Sequence, residues 1–450
     1  MRFRDRSARG VRAGVVVVLM ALCLRGRAAA QEPVDHSQHL HPAPAVAPSA
    51  IDLPAQREGS GTSWLPDETP MYAVHAEYGG WEVMGHGNVF LQFLKEGGDR
   101  GSEQFGSVNW AMGMARRAVG KGRLGLRAMI SLEPWTINGC GYPDLLASGE
   151  ICQGHPIVDR QHPHDLFMEL GATYDRPLAP SLGLQLYGSL AGEPALGPVA
   201  FPHRVSAMPN PLAPLSHHWL DATHIAYGVM TGGVYSRQWK IEGSIFNGRE
   251  PDEERHDFDF GALDSFSARA WFLPTNAIAL QVSAGHLTEA EADDQGGART
   301  DVDRVTASAT YHRPFREGGS IWASTVGFGR NAEEGESTSF LLAETNVTFD
   351  EQDVYFGRLE IGHKSAHDLD IHESTERFTV AKVQAGYVRY LDAWNSLKPG
   401  IGASVSMSLV PTTLADVYGN RATFGFGVFL TLRPGAMTMG SGAHAGHVAP

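Results

Sequence analysis

The sequence contains few cysteines and no pair of them at a metal-binding spacing. Only three occur in 450 residues, and Cys23 precedes the segment that we expect to be the mature protein. The other two, Cys140 and Cys152, lie twelve residues apart, and no CxxC pair indicates a zinc ribbon. In an exported chain they predict one disulfide, which closes a loop and places the protein in an oxidising compartment.

Long apolar runs are also missing. The run over residues 13–24 is shorter than the roughly 20 residues that a membrane-spanning helix needs. It follows five arginines among the first twelve residues and precedes three alanines at 28–30. This order of a basic, an apolar and a small-residue segment predicts a secretory signal peptide over residues 1–30, cleaved near Ala30.

Positive charge is scarce in the remainder of the chain. Residues 1–30 hold seven Arg and one Asp, which leaves 29 basic against 49 acidic side chains after residue 30. Such an acidic chain is a poor partner for nucleic acid, which we therefore exclude. Neither a dinucleotide-binding glycine motif nor a phosphate-binding loop occurs.

The strongest positive signal is a period of two. In one stretch Val305, Ala307 and Tyr311 alternate with Thr306 and Thr310, which predicts a half-buried strand. We count about sixteen such strands along the chain. Their predicted ranges are 84–95, 105–119, 121–133, 166–177, 182–192, 224–238, 239–249, 264–275, 276–287, 303–315, 318–331, 336–350, 352–364, 376–391, 397–410 and 421–433.

The connections distinguish a barrel from a two-sheet sandwich, which also alternates. Short turns such as "VGKG", "LPTN" and "DEQD" follow the even-numbered strands. The longer, polar loops follow odd-numbered strands and cover 134–165, 193–223, 250–263, 288–302, 365–375 and 411–420. Regular alternation of short turns and long loops is typical of transmembrane β-barrels, whose closure leaves no unpaired strand edge in lipid.

On this topology, the signal peptide and the aromatic last strand 421–433, the chain resembles the outer-membrane β-barrel proteins of Gram-negative bacteria. The resemblance implies an all-β fold: an antiparallel up-and-down transmembrane barrel of about sixteen strands over residues 71–433. It also implies an outer-membrane location with lipid and lipopolysaccharide as partners, and it leaves a homo-oligomer open. Such barrels usually end at the last strand, whereas here a tail, 434–450, continues beyond it.

The strand registers predict a lumen lined by charges of both signs, which suits a water-filled or salt-bridged interior rather than a single-sign filter. A register slip of one residue would turn any of these side chains outward. The predicted lumen-facing residues are Arg123, Arg127, Lys240, Glu242, Arg269, Glu344, Arg358, Glu360 and Lys382.

Two terminal segments carry candidate metal ligands. Residues 31–70 are rich in Pro, Ala and Ser and are predicted to be disordered in the periplasm, like the tail 434–450. Their candidate ligands are His36, His39, His41, His444 and His447, near Met437 and Met439. A weaker, compositional likeness to barrels of copper-resistance systems implies Cu or Zn, although no cofactor is required. The alternative is a solvated linker with incidental histidines.

The stretch "VDRQHPHDLF" ends the long loop 134–165. Because Pro163 favours an extended backbone before it, His162 and His164 are predicted to project to one side. With Asp165 they form a candidate metal or proton-linked site. The alternative is a hydrogen-bonded corner that holds the disulfide loop over the lumen.

A second unusual loop, 193–223, contains four prolines between residues 202 and 214, which prevent regular structure. It also carries His217 and His218, near Asp221. Both loops are long enough to fold into the lumen as constrictions. We therefore predict a shared His/Asp cluster at the mouth of the barrel.

Three functions follow from these features. The first is a porin-like channel or passive transporter for small solutes or ions, since sixteen strands can enclose an aqueous path. The second is a metal-sequestering barrel of a resistance system. The third, an outer-membrane enzyme, is disfavoured because no Ser or Cys adjacent in sequence supplies a nucleophile to the histidines. Whether the lumen is open or plugged is left undecided by the sequence.

Overall fold

Alternating side chains build long strands that pair edge to edge. The computed structural model describes residues 53–292, 299–316, 319–333, 335–371 and 376–436. Its strands in chain order are β1 (Val74–Tyr78), β2 (Trp81–Glu96), β3 (Glu103–Val119), β4 (Gly122–Ile130), β5 (Tyr142–Cys152), β6 (His155–Gln161), β7 (Phe167–Ala179), β8 (Leu182–Gly192), β9 (Ala226–Tyr235), β10 (Trp239–Phe246), β11 (Ser265–Thr275), β12 (Ile278–Ala292), β13 (Arg299–Pro314), β14 (Ile321–Glu333), β15 (Glu336–Phe349), β16 (Asp353–Ser365), β17 (Arg377–Tyr390), β18 (Leu397–Leu409) and β19 (Ala422–Pro434).

Sixteen of these strands form a closed antiparallel ring made of β2–β4 and β7–β19. The ring closes where β19 pairs with β2, for example Leu432 opposite Val89. The short strand β1 pairs with the first residues of β2, with Val74 opposite Gly85, and so covers an edge that β19 does not reach. Closure satisfies the backbone hydrogen bonds of every strand within the sheet, as lipid requires.

The sixteen predicted strands are confirmed, with bounds that differ by a few residues. The largest differences concern β12, which continues to Ala292, and β13, which begins at Arg299. The sequence missed β1 and the hairpin of β5 and β6, because that hairpin lies inside a segment predicted as a loop. Three one-turn helices also interrupt the loops: α1 (Glu133–Thr136), α2 (His217–Leu220) and α3 (Ala415–Tyr418). Among the described residues no helix is long and apolar enough to cross a membrane.

The outer face of the ring is apolar and the inner face is polar. On β10, Trp239, Ile241 and Ile245 are exposed, whereas Lys240 and Glu242 between them are buried inside. Exposed aliphatic side chains continue around the ring, for example Val282, Val305, Leu341, Val405 and Val428. This arrangement inverts that of a water-soluble protein and is the one that lipid requires. The fold is a transmembrane β-barrel of the outer-membrane type.

Three segments fill the interior. The lumen loop, residues 193–225, joins β8 to β9 and is almost entirely buried. The mouth hairpin, β5 and β6, lies in the connection between β4 and β7, and the predicted disulfide Cys140–Cys152 forms beside it. The plug, residues 53–70, lies against Tyr235 and Trp271 near the end of the barrel that carries the short turns. The lumen is therefore occupied.

The plug corrects the sequence prediction for its own residues. We expected disorder through residue 70, but in residues 53–70 Arg57, Trp64 and Leu65 are buried. Composition suggested disorder because the segment 31–70 is rich in Pro, Ala and Ser, and a solvated segment of that kind cannot bury enough apolar surface by itself. The barrel wall supplies the missing partners. The signal peptide and the tail histidines His36, His39, His41, His444 and His447 lie outside the described residues.

Candidate functional site

Charged side chains of the inner wall hold the lumen loop in place. Arg204 of the loop pairs with Glu344 of β15, with an Nε–Oε1 distance of 2.8 Å, and with Asp221 of the loop at 2.6 Å. The backbone amide of Ser216 donates to Glu360 at 2.9 Å. These side chains are almost fully buried, so the contacts form in a low-dielectric interior where an unpaired charge is costly.

The other predicted lumen-facing residues also lie on the inner face. Arg269 contacts Glu193 of the lumen loop at 2.8 Å and Glu242 at 2.9 Å. Lys382 contacts Asp144 of the mouth hairpin at 2.5 Å. Four further predicted residues are buried or half-buried inside the barrel: Arg123 and Arg127 on β4, Lys240 on β10 and Arg358 on β16.

The plug is held to the short-turn end of the wall by a carboxylate between two cations. Glu58 pairs with Arg116 and, at 3.2 Å, with Arg123. Arg127 donates to the carbonyl oxygens of Gly59 and Gly61. Burial opposes the charge on Glu58, but the nearby arginines outweigh it and lower the pKa of this carboxyl.

The plug and the lumen loop also contact each other. The backbone amide of Ala200 donates to Ser60 Oγ at 2.9 Å. Gly61 has a φ of +50°, and a Cβ added there would lie 2.7 Å from Cβ of Glu193. Only glycine fits both the conformation and the space, so the close approach of the two segments depends on it.

Five histidines form a cluster where the lumen loop meets the segment between β6 and β7. They come from the two loops that the sequence singled out: His162 and His164 from one, His217, His218 and His224 from the other. Ring centroids lie 5.7 Å apart between His162 and His218, 5.3 Å between His217 and His218, and 5.0 Å between His217 and His224. His164 lies 5.4 Å from His224. The predicted proximity of the two loops is confirmed, whereas metal binding there stays a prediction.

Each ring of this histidine cluster has an acceptor at Nδ1. For His164, His217 and His218 it is a carboxylate, respectively Glu133 at 3.0 Å, Asp221 at 2.8 Å and Glu250 at 3.2 Å. His162 Nδ1 lies 3.3 Å from the backbone carbonyl of Pro163, its hydrogen-bond acceptor, and 3.3 Å from the carboxyl group of Glu150. His224 contacts the backbone carbonyl of Asp221 at 2.8 Å. An acceptor at Nδ1 assigns the proton to that nitrogen, which leaves Nε2 with a lone pair.

Three of these Nε2 atoms, in His162, His218 and His224, are buried and have no hydrogen-bond partner in the part of the chain that the structure describes. A cavity of about 30 Å³ lies beside His162, His217 and His218. That is room for two or three waters, at roughly 10–15 Å³ each, or for an ion. The cluster therefore offers acceptor nitrogens to an electrophile or a proton donor.

Burial and neighbouring charges shift the pKa values of three groups in the cluster. It lowers the pKa of His217 to about 4 against the opposing effect of Asp221, so this ring is neutral near pH 7. It raises the pKa of Glu150 to about 8, although Arg255 opposes the change. For His164 the effect of burial is outweighed by Glu133, and the pKa is raised.

Some predicted ligands do not converge. Asp165 contacts Arg255 at 3.4 Å rather than a histidine of the cluster. Among the described residues, three candidate ligand atoms lie within 4.8 Å of one another only in Asp252, Asp257 and Asp259, on an acidic loop. No three histidine nitrogens are that close, so the cluster is a chain of neighbouring rings rather than a closed three-ligand site.

The carboxylates that orient the rings were the main omission of the sequence analysis. Glu133, Glu150 and Glu250 are spread over 117 positions and are ordinary acidic residues in their local context. No spacing links them to the histidines, since their contacts form only when three loops meet inside the barrel. Asp221 is the one orienting carboxylate that the sequence analysis linked to a histidine, because it lies four residues after His217.

No protein-family model matches the chain, and no curated protein matches it. Among solved structures it is similar to OmpF of Salmonella typhi in complex with daunomycin, at 11% identity and a TM-score of 0.47, over 80% of this chain and 100% of the other. It is also similar to OmpT of Vibrio cholerae, at 7% identity and a TM-score of 0.44, over 80% and 99%. A third similar structure is the anion-selective porin from Comamonas acidovorans, at 10% identity and a TM-score of 0.44, over 79% of this chain and 99% of the other. By its own strand pairing and apolar outer surface, the chain is a closed, sixteen-stranded antiparallel β-barrel of the outer-membrane type.

Proposed function

We propose that the protein is an outer-membrane channel for small solutes or ions, closed at rest by the plug and the lumen loop. One observation carries this proposal: the charged inner wall pairs with two segments that are not part of the barrel. Glu344 holds Arg204 of the lumen loop, and Arg116 holds Glu58 of the plug. When a segment moves, water can replace these polar partners. Release of the plug also exposes the apolar contacts of Trp64 and Leu65 with the wall, which favours the closed state at rest.

The wall left after such a movement suits an aqueous path. A barrel of sixteen strands is wide enough for a water-filled channel once its interior is cleared. The inner face carries both signs, for example Arg269 beside Glu242 and Lys382 beside Glu96. Mixed charge favours small polar solutes over ions of one sign.

Single-channel recording in planar bilayers tests the proposal. The mature chain should show a closed baseline with brief openings, and deletion of residues 53–70 should give longer openings of larger conductance. Deletion of the tail 434–450 is the control, because conduction should not need it. A deletion variant that shifts on gels after heating, as a folded barrel does, but stays electrically silent would overturn the channel.

A second candidate function is metal binding by the histidine cluster, with Zn(II) or Cu(II) as the ligand class. The supporting observation is the pairing of a carboxylate at Nδ1 with a buried, unpartnered Nε2 in His162 and His218. Metal-ligating histidines almost always hold such a partner at the other ring nitrogen. The separation of the nitrogens means that two rings at a time, completed by water, would hold the ion.

Equilibrium dialysis against Zn(II) distinguishes the two candidates. The double variant His162→Gln/His218→Gln should lose one bound equivalent and keep its conductance if the cluster only sequesters metal. Block of wild-type conductance by micromolar Zn(II), absent in the double variant, would instead place the cluster on the permeation path. Unchanged stoichiometry in the variant would refute metal binding at these rings.

A further inference from the structure

A second group of soft ligands lines the wall away from the histidine cluster. On β2, β3 and β4, His86 lies opposite Met112, and Met112 lies opposite Met129. The next row pairs Met84 with Met114. Because directly opposed residues of an antiparallel pair share one face of a sheet, these five residues form a continuous band facing the lumen. We call it the Met/His band.

The lumen loop covers this band with one more histidine. His203 Nε2 lies 3.4 Å from the sulfur of Met129, and its ring lies 5.4 Å from that of His86. Trp110 packs against both rings, at 4.8 Å from His203 and 5.3 Å from His86. The band is therefore enclosed between the wall and the lumen loop.

Ordinary packing does not account for the polar atoms of this site. The methionines Met112, Met114 and Met129 are buried as core residues often are. However, Nε2 of His86 is buried with no hydrogen-bond partner among the described residues, and His203 directs its Nε2 toward a thioether, which is a weak acceptor. Leaving such a buried nitrogen unsatisfied destabilises the folded protein, and a bound cation would remove that cost.

We propose that the Met/His band binds a soft monovalent cation of the Cu(I) class. Its ligands are His86 and His203 through nitrogen and Met112 and Met129 through sulfur. Thioethers prefer Cu(I) over harder divalent ions, and imidazole also suits copper. The site does not depend on conduction through the barrel, and none of its ligands belongs to the histidine cluster.

Its position gives the site a structural consequence. Three of the ligands are on the wall and the fourth, His203, is on the lumen loop, so a bound ion would join the two. Any movement of the lumen loop away from the wall would then separate His203 from Met129 and weaken the binding. Occupancy and the closed position of the loop should therefore stabilise each other, as linkage requires.

The test uses Ag(I), a redox-inert probe of Cu(I) sites, titrated into the full mature chain in detergent. The variant Met112→Leu/Met129→Leu should lose one equivalent or bind it roughly 100-fold more weakly, because even the loss of a supporting contact to a ligand costs about 10- to 100-fold. The matched control is Met230→Leu, which makes the same change at an exposed position on β9. Metal bound elsewhere in the chain cancels in this comparison.

Two further measurements keep the outcome decisive. The variant His203→Gln leaves the barrel strands intact and should show the same loss, and the heat-induced gel shift reports folding of each variant. X-ray absorption of the Ag(I)-loaded wild type should show sulfur and nitrogen neighbours, and the sulfur signal should fall in the double variant. Equal affinity and stoichiometry in the double variant, His203→Gln and Met230→Leu would overturn the proposal.

Discussion

Neutralising Glu58 should release the plug. In the substitution Glu58→Gln the carboxylate that bridges two arginines becomes a neutral amide, and Arg116 and Arg123 lose their counterion. The side chains of Glu58, Arg116 and Arg123 are 25%, 10% and 22% exposed, so this site is neither a surface pair nor a fully buried one. Surface pairs contribute about 0–1 kcal/mol, and breaking a buried pair costs about 3–5 kcal/mol.

We therefore expect Glu58→Gln to weaken docking of the plug by an intermediate free energy of about 2 kcal/mol. At 1.4 kcal/mol per factor of ten, this increases the population of released plug about 30-fold. The assay is the labelling rate of the variant Ser60→Cys with a charged maleimide. Ser60 is buried while the plug is docked, so labelling requires release. The same change should lengthen channel openings in bilayers.

A control within the same segment separates docking from a general loss of charge. Glu68 contacts Arg313 at 3.4 Å, and its side chain is 27% exposed, close to the value for Glu58. Its partner is 59% exposed, so the pair is screened by water and Glu68→Gln should barely change labelling. If Glu58→Gln labels no faster than Glu68→Gln, the reasoning that Glu58 holds the plug is wrong.

Three other perturbations have expected outcomes. Docking of the plug lowers the pKa of Glu58, so its contribution to docking stability is complete above the ordinary pKa of 4.5. That contribution is lost as the pH falls through the lower docked pKa, and labelling of the Ser60→Cys variant should accelerate in that acid range. Glu344→Gln removes a buried partner of Arg204, which should destabilise the lumen loop by about 3–5 kcal/mol and be seen as faster limited proteolysis within residues 193–225. Reduction of Cys140–Cys152 opens a loop of twelve residues, worth about 3 kcal/mol, and should increase proteolysis of the mouth hairpin while the heat-induced gel shift of the barrel remains.

The barrel itself was predictable from the sequence because lipid makes two demands that are visible residue by residue. Alternation of apolar and polar side chains in a stretch such as Val305–Tyr311 fixes which face meets lipid. Short turns and long loops in regular order then fix the antiparallel neighbours. Both signals are local, so all sixteen strands were found with small errors in their bounds.

The contents of the lumen were only partly predictable. The prolines of the loop over residues 193–225 indicated irregular chain, and its histidines indicated a cluster with His162 and His164. The plug was misjudged, because the partners of Glu58 lie 58 and 65 residues away and its composition is that of a linker. The Met/His band was not seen at all, since Met112 and Met129 are ordinary strand residues until pairing aligns them.

The sequence by itself thus determined the wall: the approximate strand count and the alternation of short turns and long loops. Only the tertiary structure decided the register that turns the predicted charged side chains inward, what those charges meet, which acceptor each histidine of the cluster contacts, and that His203 lies over Met129. The physical reason is the range of the interactions. A side chain's preference for lipid or water is set by its own chemistry, whereas a buried ion pair or ligand set requires residues that come together only when the ring closes around the loops.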